Sequence, residues 1–253
     1  MTKAWRLAIA VVLVPLSLLA GPVHSEKPEP ITGVEQIAGT YYLGDGLGFN
    51  FTLTLDPRGT FSYTWQGCLG TYAEASGSAF LRNGELVLEP SSKKGEIDQG
   101  FDTRFLPIRW EDRQYLIPSD QIVGFTNQVN GGLEPRSDSF GDVYLRRDDW
   151  DKPVTGAPDL PERYQAYLLP EPVNVRVLRK RGTREVEMDA GRGEGLLPGM
   201  TLTPVSKEGD LFLCRLEIVS VEEGTAVAKG DEYCKNLLQG DEVSTRLPYA
   251  EEP

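Results

Sequence analysis

The chain has 253 residues, 40% apolar and 25% charged, with 26 Lys plus Arg against 38 Asp plus Glu and a formal charge of −12. This composition excludes collagen, coiled coil and wholesale disorder, and the acid excess argues against nucleic acid and anionic lipid as partners. The 27 Gly and 18 Pro are more than a helical chain of this size normally carries, and they favour many short strands joined by turns.

Residues 1–25 read as a secretory signal peptide. Lys3 and Arg6 give the positive start, and the apolar run 7–20 falls short of the roughly 20 residues needed to cross a bilayer. Cleavage is expected before Glu26, which places the protein in the periplasm or cell envelope of a bacterium with no remaining transmembrane span. Removing Lys3 and Arg6 takes the charge from −12 to −14, and it also removes His24, the single histidine of the sequence. A mature chain without His cannot build Ser-His or Cys-His nucleophiles, nor the His-containing sites that hold most catalytic zinc, copper and iron. The expectation is a non-enzymatic protein with no catalytic residues, no metal and no cofactor.

After a polar leader at 26–32, residues 33–147 carry the clearest strand signal. Phe49, Phe51, Leu53 and Leu55 alternate with polar residues, Asp56-Pro57-Arg58-Gly59 supplies a turn, and Phe61, Tyr63 and Trp65 alternate again. Period-two geometry puts Phe49, Phe51, Phe61, Tyr63 and Trp65 on one face, either as packed core or as the lining of a small apolar-ligand cavity. Further strands are expected at 70–75, 78–82, 85–89, 103–110, 114–117 and 142–146. A helix is expected between Ser119 as cap and Gly131 as stop. The order favours an up-and-down antiparallel barrel. Gly44-Asp45-Gly46-Leu47-Gly48 reads as a wide hairpin turn, and Cys68 as a free, buried thiol. Glu111, Asp112, Glu134 and Asp138 make a two-carboxylate hydrolase conceivable, with a solvated acidic face as the simpler reading. Arg104, Arg109 and Arg113 could line a mouth and hold a carboxylate, or simply balance the acid excess.

Residues 148–172, which concentrate five Pro, read as a linker in which 162–169 could form two helical turns. Asp159 is a possible cap there, and Tyr164, Tyr167 and Leu168 are expected to pack on a barrel. Residues 173–247 give six more short strands with glycine-marked turns. Mirror pairing about Glu222-Glu223-Gly224 brings Cys214 close to position 233, and Cys234 lands beside it if the second strand persists, so a Cys214–Cys234 disulfide is expected in an oxidising compartment.

Gly39-Thr40-Tyr41, the meander through Gly59-Thr60-Phe61 and the segment GCLGTYAEASGSAFLRNGELVLEP together resemble a lipocalin-like (calycin) barrel, with Tyr41 where that family usually has Trp. RWEDRQYLIP, GGLEPR and DVYLRRDD resemble segments of uncharacterised exported bacterial proteins. GEGLLPGM followed by a long hairpin and GDEV resembles the SH3-like barrel of bacterial envelope proteins, including the C-terminal domain of a flagellar basal-body ring protein. The resemblances imply an all-β chain with an N-terminal antiparallel lipocalin-like β-barrel and a C-terminal SH3-like small β-barrel. Ligand binding is implied for the first and docking of other proteins for the second. The expected function is that of an envelope protein-interaction or structural module; the alternative is small apolar-ligand binding in the first barrel.

Overall fold

The computed structural model describes residues 31–97, 101–136, 143–205 and 213–248. The expected signal peptide and Asp138 lie outside them. Among the described residues the strands close into two antiparallel barrels. The first runs in simple up-and-down order through β1 (Gly39–Gly44), β2 (Asn50–Asp56), β3 (Thr60–Gly67), β4 (Gly70–Arg82), β5 (Glu85–Gly95), β6 (Arg104–Trp110), β7 (Arg113–Pro118) and β8 (Tyr144–Arg146). It closes where Tyr41 and Tyr42 pair with Arg146 and Leu145.

The β2–β3 hairpin forms because its turn chemistry and alternation agree. Asp56 Oδ1 accepts the Arg58 N–H at 2.9 Å, Gly59 supplies a positive φ of 80°, and the register sets Phe51 against Trp65, Leu53 against Tyr63 and Leu55 against Phe61. The inward positions of the barrel join in one buried cluster that includes Tyr41, Leu53, Tyr63, Leu88, Phe105 and Tyr144. The two strands expected at 70–75 and 78–82 are one 13-residue strand. A bulge at Ser76/Gly77 lets it bend and continue, and a Cβ on Gly77 would lie 2.1 Å from the Glu89 carbonyl oxygen, so only glycine fits there.

One wall of this barrel is covered on its outer face too. Every residue of β7 is buried, because Leu106, Ile108, Trp110, Tyr115 and Ile117 meet α1 (Ile122–Asn130) and the segment that follows β8. Helix α1 starts after Gln121, with no side-chain cap, rather than at Ser119, whose backbone N–H instead joins the Arg104 carbonyl at 3.1 Å. Gly131 ends it as expected, and a Cβ at that position would come within 2.8 Å of the Leu247 side chain.

The proline-rich stretch 148–172 is a strap laid on this outer core. Val154 and Leu160 are buried, and Asp159 bridges to Arg109 through backbone instead of capping a helix. The helix there, α2 (Glu162–Gln165), is a single turn that begins after Pro161. Tyr164 and Leu168 pack on the first barrel's outer core, while Tyr167 and Leu169 pack on the second barrel.

The second barrel is built from β9 (Asn174–Lys180), β10 (Glu185–Met188), β11 (Thr201–Pro204), β12 (Leu216–Val221), β13 (Ala226–Gly230) and β14 (Glu242–Ser244), closed in the order β10-β13-β12-β11-β14-β9. Its core is aliphatic and sulfur-rich, with Val177, Met188, Met200, Leu202, Leu216 and Ile218 fully buried. Cys214 and Cys234 form the expected disulfide, with Cα atoms 4.7 Å apart. Strand β13 does not persist as far as Cys234; a 3-10 turn at Glu232–Asn236 delivers it, started by the Asp231 side chain accepting the Tyr233 N–H. Closing this 20-residue separation should contribute about 3 kcal/mol in the chain-entropy picture. A Cys214→Ser/Cys234→Ser variant is therefore expected to unfold at clearly lower urea than the oxidised protein; coincident curves would contradict the assignment.

Side-chain amides on α1 join the barrels. Asn127 donates to the Gly199 carbonyl at 2.9 Å and accepts the Thr201 N–H at 3.2 Å. Asn130 does the same with the Tyr167 carbonyl at 2.9 Å and the Leu169 N–H at 3.0 Å. Each amide thus satisfies two backbone groups that would otherwise lie unpaired at the seam. Among the described residues no helix is long and apolar enough to cross a membrane.

Candidate functional site

The five rings expected on one face divide. Phe61, Tyr63 and Trp65 are buried and Phe51 is half-buried, but Phe49 is 59% exposed, which corrects the expectation that all five line the interior together. The reason is register: the last β1–β2 rung pairs Gly44 with Asn50, so Phe49 lies beyond the ladder and its ring stacks over Trp65 from the barrel's open end, 6.3 Å away. Burial pushes the Tyr63 hydroxyl well above its ordinary pKa. The Trp65 indole Nε1 is buried without a hydrogen-bond partner among the described residues.

Cys68 is free, as expected, but exposed, which corrects its expected burial. It occupies the two-residue tip of the β3–β4 hairpin, beyond the last Gly67–Gly70 rung, and among the described residues its Sγ reaches only the Leu47 carbonyl, at 3.6 Å. Leu47, Phe49 and Leu69, all at this end, are 79%, 59% and 91% exposed. They form an apolar rim.

The other candidates are tied into structural contacts. Glu111 accepts a hydrogen bond from Thr155 of the strap, and Glu134 pairs with Arg113 at 3.0 Å and Arg136 at 3.6 Å. Asp112 meets Lys152 through its carbonyl at 3.1 Å. Arg104 and Arg163 both hold Glu85, whose buried carboxyl would otherwise rise in pKa and is instead kept below the usual range by those two guanidiniums. Arg113 is fully buried and donates to the Lys152 carbonyl at 2.5 Å, while Arg109 lines a small cleft with Arg113, Arg146 and Lys152.

Asp149 is the hub beneath that cleft. Its side chain is fully buried and accepts from Arg146 Nε at 2.7 Å, Lys152 Nζ at 2.6 Å and the Gln114 N–H at 2.9 Å. Near the disulfide, Asp231 joins Cys214 and Cys234 in a group with metal-ligating atoms, but the two sulfurs are bonded to each other, which leaves one carboxylate.

The first barrel carries a recessed surface on its outer wall, away from the inward rings. Tyr42, Asn50, Thr52 and Gln66 alternate with inward-facing Tyr41, Phe51 and Trp65, and the chain just after β8 adds Arg147 and Trp150. These residues, with Leu145 and Gly46, line a groove of about 550 Å³. The Gly44–Gly48 turn holds one end of it. Asp45 accepts the N–H groups of Leu47, Gly48 and Phe49 at 2.8, 2.8 and 3.1 Å, which depresses its pKa and confirms the turn as a structural one.

The groove's polar groups are already oriented. Tyr42 donates its hydroxyl to Asn50 Oδ1 and accepts the Gly46 N–H at 3.1 Å. The Arg147 guanidinium sits 5.0 Å from the Tyr42 ring centroid, with one N–H 3.5 Å from Thr52 Oγ1. Leu145 gives a buried apolar floor and Trp150 a half-buried flat wall. A depression of about 580 Å³ on the second barrel, lined by Thr183, Arg184, Glu232, Tyr233 and Lys235, mixes both charge signs and has no such floor. What could have pointed to the outer groove is the pair Arg147 and Trp150, a cation and a large ring directly after the closing strand. Comparison with protein-family models, curated proteins and solved structures finds no match for this chain.

Proposed function

We propose that the protein is an exported, non-enzymatic binding protein of the bacterial envelope, whose eight-stranded barrel is lipocalin-like in form and whose six-stranded barrel is SH3-like. In this reading the binding surface is the outer groove beside β1, not the lumen. The observation that carries it is the groove itself: an apolar floor, two aromatic walls and a few oriented polar groups in a recess within the roughly 300–1,000 Å³ range of small-molecule sites. The buried cluster inside the barrel supports placing the ligand outside, because its rings and aliphatic side chains pack on one another. Export rests on the leader and the disulfide, which suits an oxidising compartment.

Native mass spectrometry of protein purified from its own host tests the reading. Wild type should carry a bound small molecule, and Thr52→Trp, which fills the groove from an outward position, should arrive without it. A bare wild type, or the same ligand on Thr52→Trp, would contradict it. A bound protein in place of a small molecule would favour partner docking, the reading that the exposed rim of Leu47, Phe49 and Leu69 supports.

A further inference from the structure

We infer that the outer groove takes a small monoanionic ligand: one carboxylate on a flat or ring-shaped body. The inference rests on the groove being the binding site and adds the chemistry of what it holds. Its anchor is Arg147. Among the described residues Arg147, like Arg82, Arg109, Arg184 and Arg192, has no carboxylate within 4.0 Å, and of these five it is the one that lines the outer groove. A guanidinium is charged at every physiological pH and offers five N–H donors in a planar fork, and Thr52 engages only one of them, at 3.5 Å.

The fork is also held in place. The Tyr42 ring lies 5.0 Å from the guanidinium carbon, and the Tyr42 hydroxyl is itself fixed by Asn50 and by the Gly46 N–H. A cation seated on an immobilised ring keeps its plane and loses less freedom when an anion docks. That arrangement suits a carboxylate, which a guanidinium can bind through two parallel hydrogen bonds.

The rest of the lining limits the choice further. Among the described residues Arg147 is the only charged side chain lining the groove, and the remaining polar groups there are amides and hydroxyls. One cation with neutral donors balances a single negative charge, so a monoanion fits better than a dianionic phosphate. Trp150 offers a ring face and Leu145 an apolar floor, which call for a flat body; Asn50 and Gln66 can hydrogen-bond hydroxyls on it. An aromatic acid and a sugar acid share this chemistry.

Two probe pairs separate the sources: 4-hydroxyphenylacetate against its amide, and glucuronate against glucose, each titrated into the full protein by calorimetry. At least one acid should bind about tenfold or more tightly than its neutral twin, and the winning pair names the source. Arg147→Gln should weaken that acid about tenfold, with Arg147→Lys intermediate and circular dichroism unchanged, since Arg147 is exposed. Equal binding of acid and neutral twin, no binding of either acid, or an unaffected Arg147→Gln would overturn the inference. Thr52→Trp keeps the two levels apart. If it abolishes binding while charge makes no difference, the carboxylate assignment fails and the groove stands; if it leaves acid binding intact, the groove itself is the wrong site.

Discussion

Trp65→Ala is expected to lose about 3 to 5 kcal/mol of stability, the range for truncating a large ring in a packed core. Trp65 is 7% exposed and touches Phe51, Tyr72 and Phe49 at ring separations of 5.6, 5.1 and 6.3 Å, so its removal would leave a cavity between two strands that cannot close on it. Phe49→Ala supplies the contrast. Its ring is already 59% exposed, and its loss should cost no more than about 1 kcal/mol. Urea denaturation of both variants checks the difference, and a near-wild-type Trp65→Ala would mean that the lumen is hollow enough to hold a ligand.

Asp149→Asn should cost about 3 kcal/mol at neutral pH, because it leaves Arg146 and Lys152 facing a neutral amide at a site built around a buried carboxylate. Burial alone would raise the pKa of Asp149; hydrogen bonds from Arg146, Lys152 and the Gln114 N–H outweigh it and hold the carboxyl below its ordinary value. A depressed folded-state pKa contributes stability that is complete above the unfolded value and disappears as pH falls through the folded one. Wild type should therefore lose stability in the acid range, and Asp149→Asn should lose less of it there. Urea midpoints at pH 7 and pH 3 measure both effects. Equal stability at pH 7, or parallel acid losses, would show that Asp149 does not fasten the strap to β7 and β8.

Where local pattern and turn chemistry agree, the chain can be read directly. The Asp56–Gly59 turn between two alternating runs fixes the β2–β3 hairpin, and Gly131 marks the end of α1. Reading failed where a residue's environment depends on distant chain. Alternation assigns Phe49 a side but not a depth, and depth was decided by where the β1 ladder stops. The GCLG segment looks like a small, apolar core piece, yet a two-residue tip holds Cys68 away from any second layer. The split between 70–75 and 78–82 followed from Gly77, which bends a strand without ending it.

The candidate site was the least legible part. The inward rings are large and periodic and so stand out in the sequence, whereas the groove is assembled from single outward residues on β1, β2 and β3 and from Arg147 and Trp150, about 80 to 110 positions away in sequence. Only barrel closure, through Tyr42 pairing with Leu145, brings them together. The near-continuous apolar runs of β6 and β7 did hold a usable signal, since strands buried on both faces lose their alternation. That pattern foretells a second, outer core, and with it a strap that packs instead of swinging free.

The central claim is that ligands meet the outer wall of the large barrel and not its interior, and the two tryptophans that mark these places can be watched separately. In a nitrogen-15 NMR titration of the protein with whichever acid probe binds, the indole N–H of Trp150 should shift progressively. The indole N–H of Trp65, sealed among Phe51, Tyr72 and Phe49, should stay in place. A moving Trp65 signal beside an unmoved Trp150 would put the ligand in the lumen and contradict the account.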